Sequence, residues 1–227
     1  MAVSCQTCQD KQWFRVSDRA LPGSPDFGRL IPCPDCKVAE IEARRQAELV
    51  RLSGMENFSQ MIFESFMPAD GTELANIAAH IYAEKPEGWL VFSGGYGSGK
   101  THLAAAIANT VKSDLYFAVV PDMLDYLRAA IDPARLGEDN SYGERFELIK
   151  NVGLLVLDDL GTENQSVWVK QAMFQLINHR YTRRLPTVIT TNDFTRSEPR
   201  VIDRICDRGL SKLVQISAPS YRLRGRK

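Results

Sequence analysis

The chain lacks a net charge: 28 Lys and Arg balance 28 Asp and Glu over 227 residues. That removes a global basic field as an argument for nucleic acid or for a membrane surface, so any such case rests on local charge. No apolar run reaches the roughly 18 residues that a bilayer span requires, and no membrane partner is expected. The opening "MAVSCQTCQDKQW" has no basic region followed by an apolar stretch, so it does not read as a secretion signal. These absences point to a cytoplasmic protein, in which disulfides are uncommon and cysteine pairs serve more often as metal ligands or catalytic thiols. What is present is an ordinary globular composition, 44% hydrophobic and 25% charged, with room for one substantial core and a small accessory module. The last six residues, "RLRGRK", hold four positive charges and no negative one. They read either as a solvated end or as a phosphate-seeking tail.

Apolar periodicity is also scarce in residues 1–36, where the segment "QDKQWFRVSDRALPGSPDFGRLIP" is polar and carries Gly and Pro in its middle. Burial alone would not fold it. Two cysteine pairs bracket it: Cys5-x2-Cys8 and Cys33-x2-Cys36, 24 residues apart. Four thiolates can surround Zn2+ tetrahedrally, and each x2 spacing lets one turn present two sulfurs. Metal binding would supply the folding energy the segment lacks. The competing reading, two redox or incidental pairs, lacks the βαβ setting of a thioredoxin-like site. Trp13 and Phe14 beside Lys11 and Arg15 would suit either a protein or a DNA surface.

"KVAEIEARRQAELVRLSG" (37–54) is a charged helical pattern that Gly54 stops. "TELANIAAHIYAE" (72–84) places apolar residues at 74, 77, 78 and 81 as a helical stripe, with Thr72 as its cap. From Trp89 onward strands and helices alternate. Strands are expected at 89–94, 115–120, 152–161, 186–192 and 212–217, and helices at 101–112, 121–131, 142–151 and 165–183. The first of those helices should bury Leu103, Ala104 and Ile107, and a soft loop is expected at 132–141. Apolar strands without alternation, separated by helices, indicate an α/β fold with a parallel five-stranded sheet covered on both faces.

Chemistry concentrates at three strand ends. "GGYGSGKT" fits G-x-x-x-x-G-K-[ST] and lies between a hydrophobic strand and a helix, where a P-loop must lie. Gly94, Gly95, Tyr96, Gly97, Ser98 and Gly99 would wrap the phosphates of ATP, with His102 just beyond. Lys100 would reach the outer phosphates, and Thr101 would offer its hydroxyl to Mg2+. "LLVLDD" (154–159) ends a buried strand in two carboxylates. Asp158 would hold the Mg2+ shell, and Asp159 would polarise attacking water; capping of the next loop is the plainer alternative. "VITTN" ends its strand at Asn192, suited to bonding the attacking water or terminal phosphate, although turn chemistry alone would also favour Asn before Asp193. "VIDRICDRG" (201–209) sets Arg204 and Arg208 around Cys206. Those arginines admit three uses: a solvated helix face, a nucleic-acid contact, or a reach toward another subunit's nucleotide. Cys206 reads as a buried helix residue.

"GGYGSGKTHLAAAIAN", "LLVLDDLGTE", "INHRYTRRLPTVITTN", "RVIDRICDRG" and "SYRLRGRK" together resemble the DnaC/DnaI helicase-loader and IstB transposition-helper branch of the AAA+ ATPases, over roughly residues 50–227. The resemblance implies an AAA+ P-loop core that binds ATP–Mg2+, contacts single- or double-stranded DNA and forms head-to-tail or helical assemblies. It implies that Lys100 and Thr101 are the Walker A pair, Asp158 the Walker B metal residue, Asp159 the catalytic acid and Asn192 the first sensor. It makes Arg204 the arginine finger, with Arg208 a second candidate. Nothing after "KLVQIS" is long enough for a helical lid, a departure from AAA+ proteins generally that this branch shares, and it leaves Arg222 as a substitute for a lid arginine. The expected organisation is a zinc-binding module (1–40), a helical connector (41–70) and an AAA+ ATPase domain (71–227). The expected function is ATP-dependent loading of a replicative DNA helicase on single-stranded DNA, with ATP hydrolysed at interfaces of a homo-oligomer and turnover weak without DNA or partner. A transposition helper acting on double-stranded DNA with a transposase is the alternative. A zinc module tilts the choice toward a loader, since the transposition helpers of this branch more often begin with a helical extension.

Overall fold

The computed structural model describes residues 4–16, 22–25, 27–111, 114–131, 141–164, 166–194 and 197–223. It divides into two compact units, Met1–Glu48 and Leu49–Lys227. The first holds an antiparallel hairpin, β1 (Trp13–Arg15) and β2 (Leu30–Pro32), with Trp13 opposite Pro32 and Arg15 opposite Leu30. Strands this short leave no period to detect in the sequence. Helix α1 (Lys37–Ser53) carries the chain across the division, and Gly54 stops it in the left-handed region at φ 55°.

The second unit is built on a sheet whose five strands are all parallel. They are β3 (Trp89–Gly94), β4 (Leu115–Val119), β5 (Leu154–Leu160), β6 (Thr187–Thr191) and β7 (Ser211–Ile216), in the order β4-β5-β6-β3-β7. Side chains alternate across a strand, so Leu90 and Phe92 point to one face of β3 and Trp89 and Val91 to the other. Both faces are covered, which is why "WLVF" is apolar throughout. Leu90 and Phe92 pack with α2 (Glu73–Glu84) and α3 (Lys100–Val111). Trp89 and Val91 pack with α4 (Val120–Ala129), α5 (Tyr142–Lys150), α6 (Val167–Arg183) and α7 (Pro199–Ile205).

Helix starts follow local chemistry. Pro121 occupies the first turn of α4, where an N–H has no partner to lose. Ser141 and Glu144 form a reciprocal capping box on α5, and the Ser166 hydroxyl accepts from the Val169 N–H on α6. Leu103, Ala104 and Ile107 are fully buried, as expected. The expected loop at 132–141 lies, up to residue 140, outside the described residues, and so does the basic end beyond Leu223. Among the described residues no helix is long and apolar enough to cross a membrane.

Three expectations are not met. The stripe at 74, 77 and 81 does not face the core: Leu74, Ile77 and Ile81 are exposed, while Ala75, Ala78, Ala79, Tyr82 and Ala83 are buried. The alanines of α2 meet Ala104, Ala105 and Ala108 of α3 in one cluster, where small side chains let the two helices approach closely. Thr72 does not cap α2 through its hydroxyl, which donates to the Ala69 carbonyl and accepts from the Ala69 N–H. At the far end of the chain, Cys206 closes α7 as its half-buried C-cap and is not an interior helix residue.

Candidate functional site

The strand order puts the C-terminal ends of β5, β6 and β3 side by side, so the carboxylates of β5, the amide after β6 and the P-loop after β3 converge. Lys100 is buried, and its Nζ donates to the Gly94 carbonyl at 3.0 Å, the Gly95 carbonyl at 2.8 Å and Asn192 Oδ1 at 2.8 Å. Thr101 Oγ1 donates to Asp158 Oδ1 and Oδ2 at 3.0 and 3.1 Å. Thr190 holds the same carboxylate, donating to Asp158 Oδ1 at 2.6 Å and accepting from the Asp159 N–H at 2.9 Å. Thr190, within "VITTN", carries no linear signal of its own; its role depends on the β5–β6 register.

Asp159 departs from strand geometry. Pairing with β6 slips between Leu157 and Leu160, and Asp159 sits at φ 57°, a left-handed conformation that aspartate tolerates better than most residues. The bulge aims neighbouring carboxylates differently: Asp158 is buried against the two threonines, and Asp159 lines the open cleft.

Burial pushes the Lys100 ammonium below its ordinary range, Asp159 and Asp158 oppose that shift, and the Arg222 charge adds to it. Burial likewise pushes the Asp158 carboxyl up, helped by the adjacent Asp159 charge and opposed by the threonine hydroxyls and Lys100. Cation and anions stand in a low-dielectric site without full mutual neutralisation, the condition expected where a charged ligand and metal complete the balance.

The cleft encloses about 360 Å3. Tyr96, Gly97, Ser98, Gly99, Lys100 and Thr101 of the P-loop line it, together with Asp159 and Asn192, and His102 borders it. Gly97 is left-handed at φ 70°, and a Cβ there would meet Ser220 Oγ at 2.3 Å; at Gly99, φ 105°, it would meet the Phe66 ring at 2.9 Å. Ser98 Oγ is buried without a hydrogen-bond partner among the described residues. A glycine cradle, an unspent hydroxyl, a buried lysine and a hydroxyl–carboxylate pair of hard oxygens fit a nucleotide with Mg2+. The remaining walls were not legible as such. Met61, Ser65, Phe66, Met67 and Ala69, in the stretch read as a connector, form one wall, and Ala218, Pro219, Tyr221 and Arg222 form another. The Tyr221 N–H donates to the Gly97 carbonyl at 2.9 Å, tying that second wall to the P-loop.

Arg204 does not line this cleft. Its Nε donates to Asn178 Oδ1 at 2.9 Å, its Nη1 to the Arg200 carbonyl at 2.8 Å, and its guanidinium lies over the Phe174 and Tyr181 rings. Arg208 is exposed.

In the first unit Cys5, Cys8, Cys33 and Cys36 come together, with all four sulfurs within 4.8 Å of one another. The Cys5–Cys33 and Cys8–Cys36 separations are 3.8 and 3.5 Å. A tetrahedron with metal–sulfur arms of about 2.3 Å has edges of about 3.8 Å, so the sulfur set fits Zn2+. Its support is local: Asp10 accepts from the Ser4 and Cys5 N–H groups, and the Cys33 N–H donates to the Gln12 carbonyl at 2.7 Å.

The model of the family described as IstB-like ATP binding protein matches residues 35–227. The chain belongs to this family. It is 30% identical over 170 residues to the replicative helicase loader DnaC of Escherichia coli, covering 71% of this chain and 69% of that one. It is 28% identical over 218 residues to a putative ATP-binding protein in an insertion sequence of Mycobacterium tuberculosis, covering 88% and 84%. Among solved structures it is similar to a DnaC helicase loader, with TM-score 0.58 and 24% identity over 71% of this chain and 99% of the other. AMPPCP- and single-stranded-DNA-bound DnaA gives a TM-score of 0.60 at 20% identity, over 70% and 50%. The fold is therefore that of an AAA+ ATPase in the branch that includes DnaC, DnaI and the insertion-sequence ATP-binding proteins.

Proposed function

We propose that this IstB-family protein is an ATP-dependent loader of a replicative DNA helicase, acting on single-stranded DNA as a homo-oligomer. The observation that carries the reading is the joint presence of the four-cysteine centre and of a P-loop cleft in a chain 30% identical to a replicative helicase loader. The cysteine unit is an accessory surface that a bare ATPase would not need.

In this reading Lys100 exchanges its present acceptors, two carbonyls and an amide oxygen, for phosphate oxygens. That exchange is favourable because an ionised acceptor makes the stronger hydrogen bond. Mg2+ held by the Thr101 hydroxyl and the Asp158 carboxylate would offset negative charge on the phosphates. Asp159, displaced by its bulge, orients water for attack on the γ-phosphate. Asn192, released from Lys100, bonds the water or the terminal phosphate. Arg222 supplies positive charge within the same chain. Arg204 completes the site of a neighbouring subunit, leaving Asn178 to do so, and thereby makes turnover depend on assembly. Arg204→Ala should retain ATP binding while losing most DNA- or partner-stimulated turnover; unchanged stimulated turnover, measured by phosphate release, rules out the trans role.

The loader reading is tested by co-purifying the protein with the host's replicative helicase, with and without ATP, then assaying unwinding of a template coated with single-strand-binding protein. No complex and no stimulation would sink it. The second reading, a transposition helper on double-stranded DNA, is supported by the insertion-sequence relative, 28% identical over 88% of this chain. Capture of a transposase instead of a helicase would select it.

A further inference from the structure

The connector between α1 and α2 does more than link them: residues 58–66 are fastened along one face of the P-loop helix. His102 and Asn109 stand seven residues apart on α3, two turns along the same face. His102 Nε2 lies 2.9 Å from the Ile62 carbonyl and 3.2 Å from Ser65 Oγ. A carbonyl only accepts, so Nε2 carries the proton and donates to it. Asn109 Nδ2 donates to the Phe58 and Met61 carbonyls at 2.9 and 3.1 Å. The Phe66 ring meets His102 edge-on at 5.2 Å, and Phe63 stacks on His80 of α2 at 3.9 Å.

What is fastened is the apolar wall of the cleft. The glycine loop, Lys100 and Thr101 define the phosphate end. Met61, Phe66, Met67 and Ala69, with Ala218 and Pro219, supply apolar surface to the same cleft. An apolar slot beside a phosphate cradle accommodates a nucleobase. His102 borders the same cleft, but its donor nitrogen is spent on the strap.

We infer that His102 is a positioning residue: it clips the 58–66 strap to the P-loop helix and so sets how tightly the base-bearing part of the nucleotide is held, without entering the chemistry. The inference rests on the ATP-binding reading of the cleft. Because the clip and the phosphate cradle sit on one helix, loss of the clip should loosen the base wall and leave the cradle intact.

The test uses the full chain with three variants. His102→Ala removes the clip. His102→Phe keeps a ring against Phe66 but has no donor, and serves as the probe should the alanine variant fail to fold. His102→Gln restores a donor at similar reach. Binding is measured with ribose-labelled fluorescent ATP, then by competition with GTP and with inorganic tripolyphosphate, and hydrolysis by phosphate release. One lost hydrogen bond is worth about fivefold in affinity. His102→Ala and His102→Phe should weaken ATP about fivefold or more and narrow the preference for ATP over GTP. Competition by tripolyphosphate and turnover at saturating ATP should stay at the wild-type level, and His102→Gln should recover most of the ATP affinity. Unchanged ATP affinity in the alanine and phenylalanine variants overturns the inference. Parallel loss of tripolyphosphate binding, or a fall in turnover at saturation with KM unchanged, also overturns it by placing His102 at the phosphates. Failure of the wild-type protein to bind labelled ATP would overturn the nucleotide reading itself, a distinct result.

Discussion

The two units of this chain solve the folding problem by opposite means. In Leu49–Lys227 both faces of a parallel sheet are sealed by helices, and residues such as Val91, Phe92, Leu103 and Ile107 have no exposed surface. In Met1–Glu48 the strands are three residues long, and Trp13, Phe27, Leu30 and Ile31 remain exposed. Its two buried hydrophobic side chains among the described residues are Cys8 and Cys33. Apolar burial organises the larger unit, whereas the smaller is arranged around four clustered sulfurs that could hold a metal. One is expected to respond to packing changes and the other to metal supply.

The sharpest way to break that comparison is to remove the metal. Strong chelation, or Cys8→Ser with Cys33→Ser, should abolish protease protection of the first unit, because ligand binding supplies on the order of 10 kcal/mol in structural zinc sites. ATP binding and the thermal transition of the second unit should persist. Protection that survives chelation with no bound zinc by elemental analysis would show that burial suffices after all.

A smaller effect is expected from a cavity in the larger unit. Leu103→Ala deletes a side chain with no exposed surface, which costs about 2–5 kcal/mol. Thermal unfolding of that unit should shift down by roughly 4 °C or more for a unit of this size, while zinc content stays unchanged. A loss of zinc with the cavity would mean that the two units do not respond separately.

The smallest effect has the opposite sign. Burial raises the Asp158 carboxyl above its ordinary value, so the fold binds this proton more tightly than the unfolded chain does. Its contribution to stability is complete at pH below the unfolded value and is lost as pH rises through the raised folded value. Asp158→Asn should therefore raise the melting temperature of the nucleotide-free protein near neutral pH, with the gain shrinking on acidification, while Mg2+-dependent ATP binding falls. Differential scanning calorimetry from acid to neutral pH checks both parts. A variant less stable than wild type at neutral pH would show that the threonine hydrogen bonds outweigh burial.

The candidate site was unevenly legible. Lys100, Thr101, Asp158 and Asn192 could be named from linear motifs because each must stand at a strand end, and the parallel order brings those ends together. The cleft's apolar wall could not. Met61, Phe66 and Met67 carry no spacing rule, and they lie in a stretch whose Phe58, Met61 and Ile62 carbonyls are bonded by Asn109 and His102. The α2 misreading has a related cause. Leu74, Ile77 and Ile81 give the stronger periodic signal, but alanines permit the closer helix approach, and the close approach decided which face is buried.

By itself the sequence determined the parallel α/β class, the P-loop, the acidic strand end and the two cysteine pairs that could hold a metal. Each of these is set by a period, a spacing or a backbone conformation that a few adjacent residues dictate. Tertiary structure alone decided the bulge that separates the roles of Asp158 and Asp159, the threonine that grips one of them, the face that α2 buries and the strap across the P-loop helix. Those depend on register and on contacts between segments distant in sequence, where the outcome is a competition among packings and no local preference settles it.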